Sequence, residues 1–335
     1  MNPSLPLLAL LIAGIFPGSF AASPAMPEKL PGRIAAPEGL AVDARGNFYT
    51  SATRGRRIGG SSRLRPGARE WEDWGGRCAA GTLLGLAVDE KRRLLYACAP
   101  DCGGGSVLAY PLDAVSPEPR VVADHLGSRF INGVAINGDL LYVSFSGKPP
   151  GFIGGRIWRV TLGAKAKSET FADLTFPNGL ATSGDGRRLY VAQTTRGFLA
   201  GRLTVFDTET RRSRSWKLAG LPDGLALDAV NHRLCVALQG GGGVLAVEER
   251  HLRLDADPHA ALPFPLRPPG PNPAEPDGTW NPASLVVTRP GTVVFTDPWR
   301  TKRWWDCITL IWKGNPTHHH LWQWSLPLTS YKQNP

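Results

Sequence analysis

Glu38, Asn132, Asn178 and Asp223 share one setting. Each stands immediately before a glycine, and each pair opens a short apolar run: Pro37-Glu-Gly-Leu-Ala-Val-Asp43, Ile131-Asn-Gly-Val-Ala-Ile136, Pro177-Asn-Gly-Leu-Ala181 and Pro222-Asp-Gly-Leu-Ala-Leu-Asp228. Two further segments, Leu83-Leu-Gly-Leu-Ala-Val-Asp89 and Pro282-Ala-Ser-Leu-Val-Val287, put Leu84 and Ala283 in the same place. Four of these six positions bear oxygen, two are carboxylates, and none is Lys or Arg. Oxygen donors from separate segments suit a hard divalent cation such as Ca2+ or Mg2+. Two carboxylates brought together repel, and a cation relieves that repulsion. The competing reading is turn chemistry, because Asn-Gly and Asp-Gly are ordinary turn dipeptides. It accounts for Asn132, Asn178 and Asp223 but less well for Glu38, since Glu is a poor turn residue.

The elements that must bring these residues together are legible in the spacing. The central small residues, Gly39, Gly85, Gly133, Gly179, Gly224 and Ser284, recur at intervals of 46, 48, 46, 45 and 60. After each comes a polar turn and a second apolar strand, such as Leu94-Leu-Tyr-Ala-Cys98 or Leu140-Leu-Tyr-Val143. A third strand opens on Gly or Arg, as in Arg156-Ile-Trp-Arg-Val160 and Arg202-Leu-Thr-Val-Phe206, and a more polar fourth follows. Four short strands per unit of this length predict an all-β chain, a six-bladed β-propeller with four antiparallel strands per blade. A single such sheet cannot bury both faces, so blades stack around an axis. The innermost strands then line a channel, and equivalent residues form a ring.

Two stretches depart from the pattern. The 60-residue interval holds a Pro-rich insertion between Pro258 and Pro282, extended and not helical. The tail carries 1 Arg and 3 Lys over residues 301–335, against 28 Arg and 6 Lys before it, and holds 5 of the 11 Trp. No Gly- or Arg-opened third strand follows Thr292-Val-Val-Phe295. The expectation is therefore a propeller over residues 30–300 and an atypical, altered tail over 301–335, which would leave the last blade damaged. His318-His-His320 within it reads as an incidental exposed run.

With 42% hydrophobic residues the chain is not a disordered one. Its 39 Gly and 30 Pro fit many turns. The run from Leu5 to Phe16 is shorter than the roughly 20 residues needed to span a bilayer. Followed by Pro17, Gly18 and small residues, it predicts a signal peptide over residues 1–22 and a secreted or periplasmic protein, although residues 1–4 lack Lys and Arg. An uncleaved anchor is the other reading, and either places the domain outside the cytoplasm. In that compartment Cys102 can pair with Cys98, or one of them with Cys78, while Cys235 inside an apolar strand reads as a small buried hydrophobe. The formal charge of +10 comes from scattered Arg. Without a basic cluster interleaved with aromatics it does not indicate nucleic acid. Gly240 to Gly243 lies between two strands, so it predicts a hairpin turn and not a phosphate cradle. There is no Gly-x-Ser-x-Gly nucleophile, and His125 reads as a loop residue.

The segments around Glu38, Asn178 and Asp223 resemble, in the same order, the metal-ligand segments of the senescence marker protein/gluconolactonase family of six-bladed propellers. The resemblance spans residues 30–300. It implies one divalent cation, Ca2+ first with Mg2+, Mn2+ or Zn2+ as alternatives, held by Glu38, Asn178 and Asp223. It also implies hydrolysis of a sugar lactone or related small ester, with Asp223 as general base to water. Arg129-Phe-Ile-Asn-Gly133 is similar to the family's substrate-binding Arg-x-Asn-Asp-Gly segment, which makes Arg129 and Asn132 the candidate substrate contacts. Here Asn132 stands in place of the Asp, and Ile131 in place of the Asn. Strictosidine synthase-like and arylesterase-like propellers share similar repeats, and a non-catalytic propeller that binds a ligand or a protein is the reading from another class.

Overall fold

The computed structural model describes residues 26–32, 34–35, 37–52, 61–75, 82–127, 130–148, 153–194, 201–218, 220–239, 243–257, 262, 280–297, 318–319 and 321–326. The predicted signal peptide and most of the Pro-rich insertion lie outside these residues. Two short strands come first, β1 (Glu28–Lys29) and β2 (Ile34–Ala35). The first repeat follows as β3 (Pro37–Val42), β4 (Phe48–Ala52), β5 (Ser61–Leu64) and β6 (Glu72–Asp73), and the second as β7 (Leu86–Asp89), β8 (Leu94–Ala99), β9 (Ser106–Pro111) and β10 (Arg120–Ala123). The third is β11 (Ile131–Asn137), β12 (Leu140–Phe145), β13 (Arg156–Thr161) and β14 (Lys167–Asp173), and the fourth β15 (Pro177–Thr182), β16 (Arg188–Gln193), β17 (Arg202–Asp207) and β18 (Ser213–Lys217). The chain ends with β19 (Leu221–Asp228), β20 (Arg233–Gln239), β21 (Gly243–Glu248), β22 (Leu285–Arg289), β23 (Thr292–Thr296), β24 (His318–His319) and β25 (Leu321–Ser325).

Neighbouring strands pair antiparallel in sequence order, which makes this an all-β propeller of antiparallel four-stranded blades. Among the described residues five sheets have four strands, and the sheet β19-β20-β21 has three. After β21 the described chain continues into a single 3-10 turn, Glu249–Leu252. Leu252 is fully buried there, in the cluster that also holds Tyr190 and Leu234, with Leu254 and Ala256 packed against it. The Arg214 guanidinium of the preceding sheet donates to the Leu254 carbonyl at 2.6 Å.

The tail corrects the expectation of a last blade without its third strand. β25 pairs with β23 (Phe295↔Trp322, Val293↔Trp324), and β1 pairs with β25 (Glu28↔Gln323). The Leu30 N–H donates to the Leu321 carbonyl at 2.9 Å. The last sheet, in the order β22-β23-β25-β1, is therefore built from both ends of the chain. A second pairing, β2 with β24, ties Ile34–Ala35 to His318–His319. The expected damage to the last blade is not seen in this sheet, because β25 supplies its third strand.

The core lies between sheets. The second strands of the first four repeats each place a tyrosine, Tyr49, Tyr96, Tyr142 and Tyr190, at complete burial. Tyr142 meets Phe171 edge-on at 5.1 Å, and Phe171 meets Phe206 of the next sheet at 5.5 Å. Alternation along each strand sends successive side chains to opposite faces, so both faces of a blade are apolar where a neighbour covers them.

The dipeptides that open the repeats are not turns. Asn132-Gly133, Asn178-Gly179 and Asp223-Gly224 lie inside β11, β15 and β19. The register against the second strand shifts there, between Ile131 and Val134, Pro177 and Leu180, and Pro222 and Leu225. The same shift falls between Pro37 and Leu40. These are β-bulges, which re-aim a side chain away from the ladder. The glycine is needed because the next inner strand is too close for a Cβ. One on Gly39 would stand 2.1 Å from the Leu84 carbonyl oxygen, and one on Gly179 2.1 Å from that of Asp223. Hydrogen bonds follow the same path. Gly39 N–H donates to Ser51 Oγ (2.7 Å), and Ser51 Oγ donates to the Leu84 carbonyl (2.8 Å). Gly133, Ser144 and the Asn178 carbonyl repeat this relay. Gly85 reaches the Asn132 carbonyl directly at 2.8 Å, and Gly224 reaches that of Ala283 at 2.7 Å. On the last sheet Ser284 N–H donates to Thr296 Oγ1 (3.0 Å), which stands 3.4 Å from the Glu38 carbonyl of the first.

Among the described residues no helix is long and apolar enough to cross a membrane. Cys98 and Cys235 are buried free thiols. Cys102 is disulfide-bonded, to a partner outside the described residues. A Cys98–Cys102 bridge is thereby excluded, and Cys235 packs as a small hydrophobe. The backbones of β20 and β21 pair up to Leu238↔Gly243, so the strands flanking the Gly-rich run form a hairpin. His125 stands in the loop between β10 and β11 with φ 54.

Candidate metal centre in the channel

The six inner strands surround a cavity of about 60 Å3 lined by Glu38, Asn132, Asn178, Asp223, Ala283 and the repeat glycines. Bulge geometry explains why these side chains point inward: each sits on the residue displaced from the ladder. The ring thus brings together Glu38, Asn178 and Asp223, and Asn132 joins the same wall. Arg129 lies outside the described residues.

The hydrogen bonding is uneven. Asp223 is 3% exposed, and its Oδ2 accepts from Gln239 Nε2. Asn178 Nδ2 donates to Thr194 Oγ1 at 2.9 Å, and Thr194 Oγ1 donates to the Pro222 carbonyl at 2.9 Å. Glu38 Oε2, by contrast, is buried with no hydrogen-bond partner. Among the described residues no Lys or Arg lines the cavity. Burial, and then the charge of Asp223, holds the Glu38 carboxyl well above the usual carboxylate range. Burial pushes Asp223 up to about 7, against hydrogen bonds from Gln239 and Asn178 that pull it down.

A buried carboxylate oxygen without a donor, facing a second carboxylate, is an incomplete arrangement. The donor set, two carboxylates and a carboxamide, fits a hard divalent cation. Among the described residues no three His, Cys, Asp or Glu side chains come together; beside the two carboxylates, the polar side chains lining the cavity include the carboxamides of Asn132 and Asn178.

The sequence of the third to fifth repeats matches a known family. Residues 132–257 match the family model described as SMP-30/Gluconolactonase/LRE-like region. Asn132, Asn178 and Asp223 fall within that region, and Glu38 precedes it. No curated protein matches the chain in sequence. Among solved structures, a gluconolactonase of Xanthomonas campestris is 20% identical, with a TM-score of 0.60 and 89% of each chain covered. The calcium-binding protein regucalcin of Agrobacterium tumefaciens is 15% identical, with a TM-score of 0.57, covering 89% of this chain and 97% of its own. A PQQ-bound aldose sugar dehydrogenase of Streptomyces coelicolor is 15% identical at a TM-score of 0.62, covering 90% of this chain and 98% of its own. At these identities the likeness is one of fold. The sugar dehydrogenase, as similar in shape as the gluconolactonase, shows that the disc alone does not choose a chemistry.

Reading by repeats overlooked Gln239 and Thr194, the two residues that hold this region's Asp223 and Asn178. Both follow the second strand's apolar core in consecutive repeats, Ala192-Gln-Thr194 and Ala237-Leu-Gln239. That shared position, polar after an apolar strand, was the available signal.

Proposed function

We propose that the protein is an exported, metal-dependent hydrolase of a sugar lactone or related small ester on a six-bladed propeller, with β19–β21 as the fifth blade. The observation that carries this reading is the partnerless, buried Glu38 Oε2 beside Asp223 in a channel that no Lys or Arg lines among the described residues. Glu38, Asn178 and Asp223 would hold one divalent cation, Ca2+ by preference. When bound, such an ion supplies Lewis-acid polarisation of a carbonyl and stabilises negative charge on its oxygen.

The chain's own groups do the rest. Asp223 Oδ2 is held by Gln239, which orients the carboxylate. Asp223 takes a proton from the attacking water as general base. Asn178 is kept in place by Thr194. Asn132, on the channel wall, and Arg129 contact the substrate and orient its ring oxygens. Export is supported by the apolar run at residues 5–16 and by the disulfide at Cys102. The family match over residues 132–257 supports the substrate class.

The test is a panel of sugar and aliphatic lactones with and without chelator. Hydrolysis of at least one member, lost with chelator and restored by a divalent ion, is expected. Full activity in Asp223→Ala would sink the assignment of the base.

A further inference from the structure

A second polar cavity, of about 420 Å3, opens between the third and fourth sheets and is lined by Gly154, Gly155, Asp173, Thr175, Gln193, Arg202 and Ser215, with Leu174. It lies at the same end of the blades as the entrance of β15, where Asn178 stands. Gln193 in its wall directly precedes Thr194, the residue that accepts from Asn178.

Most polar groups of the wall are committed. Gln193 donates to the Thr175 carbonyl at 2.8 Å and accepts from Thr204 Oγ1 at 2.6 Å. Ser215 Oγ is bonded to Thr204 Oγ1 at 2.8 Å. Asp173 accepts from Arg156 Nε at 2.8 Å. Arg202 differs: the residue is half-buried, and its guanidinium makes no hydrogen bond or ion pair among the described residues.

Comparing equivalent places in two repeats explains why. Arg156 opens β13 and lies across from Asp173 of β14, a cross-strand ion pair. Arg202 opens β17 in the same way, but lies across from Lys217 of β18. Alternation puts Arg202, Thr204, Ser215 and Lys217 on one face of the sheet, so the two cations share the cavity side. Like charges directly opposite in a sheet are destabilising. With Asp173 paired to Arg156, Arg202 is the cation that lines the cavity without a partner among the described residues, and the exposed Lys217 stands across from it on the same face of the sheet. A guanidinium with five free donors matches a carboxylate or phosphate in a two-point fork.

We infer that this cavity is an oxyanion site in which Arg202 and Lys217 take a carboxylate or phosphate group of a small molecule. The inference does not depend on the lactonase reading.

The test is thermal melting of the full chain and calorimetric titration with sodium gluconate, sodium phosphate, and sodium chloride at matched ionic strength. The wild type is expected to rise in melting temperature with gluconate, phosphate or both, and not with chloride. The responsive salt says which group the site takes. Arg202→Gln is expected to weaken that binding at least tenfold and Lys217→Gln less, while Arg156→Gln, which removes a paired arginine, keeps it. Arg202→Gln loses no partner and relieves a like-charge contact, so in chloride it should melt no lower than wild type. No response to either anion in the wild type, an equal response in Arg202→Gln, or a clearly lower melting point of Arg202→Gln in chloride would each overturn the inference.

Discussion

The two halves of the inner ring share one backbone and differ in side chains. At Glu38, Asn178 and Asp223 the bulge aims an oxygen donor into the channel; at Leu84 and Ala283 the same place is apolar. The scaffold is common to both. Gly39 approaches the Leu84 carbonyl as closely as Gly179 approaches that of Asp223. What differs is satisfaction: the polar half gathers two buried carboxylates with raised pKa values, and one oxygen without a donor. The repeat glycines therefore serve ring assembly, and the residue before each is free to carry chemistry or packing.

The comparison breaks most sharply if chemistry is not confined to the polar half. Asp223→Ala is expected to lower kcat/KM on any responsive lactone by about a thousandfold, ~4 kcal/mol in the barrier. Leu84→Ala, at the equivalent place, should change it only a few-fold. Equal losses from the two, measured on folded protein, would count against the division.

The shared scaffold is tested next. In Gly179→Ala the new Cβ meets the Asp223 carbonyl at 2.1 Å and Gly224 Cα at 2.8 Å, backbone that cannot step aside. A loss of about 3 kcal/mol in denaturant unfolding is expected. Gly163→Ala, with open space around it, is the control and should be near neutral.

Burial of the carboxylate pair predicts opposite signs for stability and activity. The folded pKa of Asp223 is raised to about 7, so the folded state holds protons that the unfolded state releases. Metal-free protein should then be most stable below the unfolded carboxylate pKa of about 4, and lose stability as pH rises through about 7. Glu38→Gln removes one of the two charges. In the metal-free protein at pH 8 it should melt higher than wild type, by the equivalent of about 1–2 kcal/mol, yet lose stabilisation by added Ca2+. An unchanged calcium response in this variant would remove Glu38 from the ligand set.

The smallest effect concerns closure. Thr296→Val deletes the hydroxyl between Ser284 and the Glu38 carbonyl, and should cost about 1 kcal/mol in urea unfolding. A neutral result would mean that β25 and β1 hold the last sheet without it.

The glycine spacing was sufficient for the blades, because each repeat is a local unit with its own strand alternation. Turn chemistry, the competing reading for Asn132, Asn178 and Asp223, does not hold, since these residues lie inside strands. A dipeptide does not reveal whether its glycine supplies a positive φ or room for a neighbouring strand. None of the five repeat glycines has a positive φ. The origin of the last blade's third strand was illegible, since Leu321–Ser325 lacks the Gly or Arg opening of other third strands and pairs with residues about 30 and about 290 positions away.

By itself the sequence determined the repeat, the antiparallel blades and the four oxygen-bearing residues that precede repeat glycines, because strand period and repeat length are local properties of a chain. Only the tertiary structure decided that Glu38 is left without a donor, that Gln239 and Thr194 hold its neighbours, and that Arg202 faces a lysine where Arg156 faces an aspartate. Each of these depends on which strand lies across from which, and on burial, and neither is a property of a segment alone.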